Sequence, residues 1–101
     1  MPGEVKTHGE LKYKDAPAEV HDEVVGEYED VRIYRRESRM GLSPTINATH
    51  RQRPPIQAIG RRLHALGYGV KVERFVIGPV YHYALEAFWP GEGEPPPLPF
   101  S

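Results

Sequence analysis

The plainest periodicity in the chain lies in PPIQAIGRRLHALGYG, where Ile56, Ile59, Leu63 and Leu66 recur at spacings of three, four and three. That spacing puts all four on one side of an α-helix. Pro54 and Pro55 suit its first turn and Gly67 its stop. Gln57, Arg61 and His64 fall on the opposite face, with Arg62 at its edge. Gly60 inside the helix costs about 1 kcal/mol relative to alanine.

Period two takes over after the helix. GVKVERFVI and VYHYALEAFW meet across Gly78-Pro79, and glycine followed by proline meets the demands of a type II′ hairpin turn. The turn sets Ile77 opposite Val80. Counting back from it, Val76 faces Tyr81, Val72 faces Leu85 and Val70 faces Ala87 on one side, while Lys71 faces Glu86 on the other. Apolar residues meet apolar ones and opposite charges meet, so turn and face agree on one register. Arg74 and Tyr83 interrupt the apolar face, and His82 falls on the outer face beside Phe75.

The first half carries two periods at once. Val20, Val24, Tyr28 and Val31 fit a helix, whereas Val31 and Ile33 alternating with Arg32 and Tyr34 fit a strand. The pattern predicts a short helix near 17–26, a strand near 30–37 and an edge strand over 9–14. RMGLSPTINATHRQRPP, residues 39–55, shows no sustained period and holds Gly41, Pro44, Asn47, Pro54 and Pro55, which predicts a long loop. The fold class expected is α+β: a single small domain over 1–91, one main helix packed on an antiparallel sheet with a C-terminal β-hairpin. A Pro-rich flexible tail follows over 92–101.

At 101 residues, with 39% hydrophobic and 27% charged residues, the chain has globular composition. No apolar run reaches the roughly 18 residues of a membrane helix, and the polar start MPGEVKTHGELK lacks a signal segment, so a cytoplasmic protein without a membrane partner is expected. Without cysteine there is no disulfide, zinc knuckle or thiol nucleophile.

Charge changes the picture more. The net charge of −1 hides a division: residues 1–31 hold nine acids and three lysines, whereas residues 32–62 hold eight arginines and one acid. Clustered arginine binds phosphate or carboxylate through paired hydrogen bonds and stacks on bases. Arg32, Arg35, Arg36, Arg39, Arg51, Arg53, Arg61 and Arg62 are therefore the candidate anion-binding residues. The expected function is a small non-enzymatic binding protein that contacts DNA or RNA phosphates. The alternative, from another class, is an interaction, assembly or inhibitor subunit, or a homodimer, in which the same arginines meet acidic surfaces. The acidic N-terminal third could also fold against the basic middle and satisfy it internally.

Catalytic and cofactor chemistry finds less support. His8, His21, His50, His64 and His82 show no metal-ligand spacing, and no cofactor is expected. His50, beside Arg51 and near Ser43, Thr45 and Thr49, is the one general-base candidate, of the kind a small ribonuclease would use. QAIGRRLHALGYGV has a partial resemblance to the cofactor-binding turn and helix of small acetyltransferases. Proline and isoleucine stand where that motif needs glycine for pyrophosphate, so no family or cofactor is carried over from it.

Overall fold

In the computed structural model, which describes residues 18–36, 44–90 and 93–100, the main helix and the hairpin stand where period and turn chemistry predict them. The elements are α1 (Ala18–Val25), β1 (Arg32–Arg36), β2 (Thr45–His50), α2 (Arg53–Ala65), β3 (Gly69–Ile77) and β4 (Val80–Phe88). The expected strand over 9–14 lies outside the described residues, as does Arg39.

α2 shows why a helix forms here. Gln52 is extended at its N-cap, and the two prolines that follow occupy positions where no amide donor is required. Its C-terminus closes through a Schellman motif: Gly67 takes φ 106°, its N–H bonds the His64 carbonyl at 2.9 Å, and the Tyr68 N–H bonds the Leu63 carbonyl at 3.1 Å. Ile56, Ile59 and Leu63 are fully buried, and Leu66 packs at the margin. Full burial of each such side chain stabilises by about 1.5–3 kcal/mol.

The four strands form one antiparallel sheet in the order β1-β2-β4-β3. The hairpin register is the expected one: Val72 opposes Leu85, Lys71 opposes Glu86 and Ile77 opposes Val80. Gly78 takes φ 60°, and proline at the next position excludes the type I′ alternative, which leaves type II′. β2 and β3 run parallel with β4 inserted between them, so β2-α2-β3 is a split crossover unit.

Residues 39–55 are not one long loop. Their centre is β2, an interior strand whose Ile46, Ala48 and His50 point to the core and whose Thr45, Asn47 and Thr49 point to the other face. Two small or polar residues among its inward positions hide the alternation, and neighbours on both sides supply what its own apolar content does not.

α2 covers one face of the sheet, against β2, β3 and β4, and α1 packs beside α2 through Val20 and Val24. Between helices and sheet the core closes around Ile33, Ile46, Ala48, Val70, Leu85 and Ala87, with Tyr68 edge-on to Trp89 at 5.5 Å. Residues 93–100, read from sequence as the tail, come back across α2. The His64 Nε2 lies 2.9 Å from the Pro96 carbonyl, and Leu98 and Phe100 pack against the core.

Candidate functional site

Strand geometry disperses the arginines. Side chains alternate along β1, so Arg32 and Arg36 stand exposed on the uncovered face of the sheet, while Arg35, half-buried, points to the helix side. Arg51 and Arg53 sit at the β2–α2 junction, and Arg61 and Arg62 lie on α2. Each described candidate meets a group of its own chain. Arg51 Nη2 donates to Asp30 Oδ2 at 3.3 Å, and Arg62 Nε lies 3.6 Å from Glu23 Oε1. Arg53 lies over Tyr83 at 5.4 Å, Arg61 over Phe100 at 5.6 Å and Arg32 over Tyr34 at 5.9 Å. Arg36 donates to the Tyr34 hydroxyl at 3.4 Å, and Arg35 also has a partner. Glu23 and Asp30 belong to the acidic N-terminal third, so part of the basic middle is met by acids from that third.

The uncovered face forms a shallow hollow of about 300 Å³ around Asn47, with Tyr34 and Arg36 on one side and Lys71, Glu73 and Glu86 on the other. Its centre is of mixed sign, because Glu86 opposes both Asn47 and Lys71 across the ladders. A single-sign cradle for phosphates is not what these positions make.

His50 is a pin. Its side chain is 2% exposed; Nδ1 accepts the Gln52 amide hydrogen at 2.8 Å, so Nε2 carries the ring hydrogen and donates to Asp30 Oδ1 at 2.5 Å. Both nitrogens are committed, and the Tyr28 ring stands edge-on at 5.9 Å. A buried imidazole whose lone pair is already filled is not presented to a substrate as a general base. The hydrogen bond from His50, joined by the one from Arg51, holds the Asp30 carboxyl below its ordinary value. Asp30 escaped the reading from sequence because it lies 20 residues from His50, and only the β1–β2 pairing brings them together. Among the described residues no group of three or more His, Asp or Glu is placed to hold a metal ion, and no helix is long and apolar enough to cross a membrane.

The surface that stands out is apolar. β2 pairs with β4 only over residues 83–87, so the outer half of the β3–β4 hairpin runs past the rest of the sheet. There Phe75 is 37% exposed, Val80 42%, Tyr81 52%, and Val76 and Ile77 57% each. Phe75, Ile77 and Val80 lie on one face of this ribbon and Val76 and Tyr81 on the other, so both faces are apolar. Phe75 stacks on His82 at 5.5 Å, and Arg74 covers the Tyr81 ring at 4.5 Å. The signal was present in the sequence: polar alternation stops at Arg74, and FVIGPVY follows.

No family model, curated protein or solved structure matches this chain.

Proposed function

We propose that the chain is a protein-interaction or assembly subunit whose contact surface is the projecting end of the β3–β4 hairpin. The observation that carries this reading is the group of five large apolar side chains, 37–57% exposed, on a two-stranded ribbon without a third strand or helix against it among the described residues. An isolated hairpin is marginal in water, and exposed apolar patches of this kind mark interaction sites. Covering these side chains recovers roughly half of the about 1.5–3 kcal/mol that full burial of each gives. The described arginines support the same preference, since acids, rings and a hydroxyl of the same chain already engage Arg32, Arg36, Arg51, Arg53, Arg61 and Arg62.

The competing reading is a nucleic-acid contact through Arg32 and Arg36, the two exposed arginines of β1. One experiment separates the two. A photoreactive amino acid replaces Ile77, and a second chain carries it at Ala65 on the exposed end of α2 as control. The expected result is protein adducts from position 77 and none from position 65, with no salt-dependent binding of duplex or single strand by the unmodified chain. Affinity for duplex falling with salt at a log–log slope of about −0.9 per contact, flattened by Arg32→Ala or Arg36→Ala, would reverse the choice.

A further inference from the structure

We infer that the partner on this hairpin is a second copy of the same chain, joined by antiparallel pairing of the two β3 edges about a twofold axis at Val72; this rests on the interaction reading above. β3 ends the sheet order, so one of its sides has no strand neighbour among the described residues. The two-residue turn fixes which backbone groups face outward. Ile77 and Val80 close the turn as a hydrogen-bonded pair, so alternate residues back along β3 turn their amides to β4, and Val70, Val72, Arg74 and Val76 turn theirs to the free edge.

A twofold axis normal to the sheet opposes residues of like parity, so the backbone accepts every symmetric register and the side chains select one. An axis at Lys71 opposes lysine to lysine, one at Glu73 opposes glutamate to glutamate, and one at Arg74 opposes arginine to arginine; each juxtaposition is repulsive. An axis at Val70 runs the projecting half past the start of the other β3, and one at Phe75 opposes Glu73 to Ile77 in a shorter ladder. The axis at Val72 opposes valine to valine and Val70 to Arg74, and it alone places Lys71 against Glu73 twice, in the non-hydrogen-bonded pairs where side chains approach closest.

The same register covers the β3 part of the apolar end, Phe75, Val76 and Ile77, and leaves Val80 and Tyr81 of β4 outside the seam. Phe75 falls opposite Gly69, where the Phe88 ring already fills the place a side chain would take, so Phe75 meets that ring. Val76 and Ile77 then reach the turn at Tyr68 and Gly67 of the other copy. The half of the ribbon that projects from one molecule lies along the base of the ribbon of the other.

The chain has no cysteine, so introduced ones report the register directly. Lys71→Cys and Glu73→Cys chains are mixed and mildly oxidised, beside each chain alone. The mixture is expected to form disulfide-linked pairs that neither chain forms by itself. Wild type is expected to sediment as a dimer, Glu73→Lys to weaken association about tenfold, and Lys71→Glu with Glu73→Lys to restore it. Without any substitution, the outward amides of Val72 and Arg74 should exchange slowly when concentrated and quickly on dilution. Cross-linking by Glu73→Cys alone would overturn the register. A wild type that sediments as a monomer, with Val72 and Arg74 unprotected, would overturn the second copy. In that event the photoreactive residue at position 77 separates the two failures: adducts to a protein of another mass sink this inference alone, and no protein adduct sinks the interaction reading with it.

Discussion

Gly60 is the position where helix propensity and packing oppose each other most directly. A glycine in the interior of α2 costs about 1 kcal/mol relative to alanine, yet a Cβ there would stand 2.8 Å from Phe100 Cζ and 3.1 Å from Leu85 Cδ1. Phe100 is the softer neighbour, since only the far end of its ring is in the way, so Gly60→Ala is expected to unseat Phe100 rather than bend the helix. Seating a half-buried phenylalanine stabilises by about half of the 1.5–3 kcal/mol of full burial, and the Arg61 guanidinium over its ring adds to that. The two effects nearly cancel: Gly60→Ala alone should change stability by less than about 0.5 kcal/mol. In a Phe100→Ala background nothing remains to unseat, and the same substitution should stabilise by about 0.5–1 kcal/mol, reduced by the adjustment of Leu85. The coupling of about 1 kcal/mol exceeds the roughly 0.3–0.5 kcal/mol error of additivity. Urea unfolding of the four proteins at a common m-value measures it. Equal gains from Gly60→Ala in both backgrounds would show that Phe100 does not sit over Gly60, and that the return of residues 93–100 across α2 is wrong.

Leu63 is fully buried between α2 and the sheet, so Leu63→Ala should cost about 2–5 kcal/mol in denaturant unfolding, and a loss below about 1 kcal/mol would remove it from the core. Asp30 has a depressed folded value, so its contribution is complete above its unfolded value near 3.8 and is lost as pH falls through the lower folded value. The stability gap between wild type and Asp30→Asn should therefore be open at pH 6 and close in acid below about 3.8; a gap independent of pH would remove the carboxylate from the pin. At Gly78, φ 60° with open space around the position makes backbone strain the only penalty for a side chain, and Gly78→Ala should cost about 1 kcal/mol; no loss would contradict the turn type.

Where turn and face chemistry spoke together, the fold was readable without coordinates. The β3–β4 register follows from Gly78-Pro79 and the matched pairs, and α2 follows from four apolar positions and two prolines. β2 was hidden because its inward positions are an isoleucine, an alanine and a histidine. A strand that draws its stability from neighbours on both sides carries little pattern of its own. That loss had consequences for the site. Without β2 there is no reason to bring Asp30 to His50, and His50 reads as a loop base instead of a buried pin. The arginines stand close together along the chain, but period two sends Arg35 to the opposite face from Arg32 and Arg36. Residues adjacent in sequence are separated by a sheet, and charge content alone carries no such information.

The placement of β4 also governs the order of assembly. The last of the described strands lies inside the sheet, so β2 and β3 acquire their shared neighbour only when Val80–Phe88 arrives. Before that, β1 and β2 form at most a two-stranded ladder among the described residues, and α2 has no Leu85 or Ala87 to rest on. During synthesis the nascent chain must therefore remain without a closed core until Phe88 has left the ribosome. Closure then joins β4 to β2 across more than 30 residues of chain, the kind of distant pairing that slows folding and lengthens exposure to aggregation.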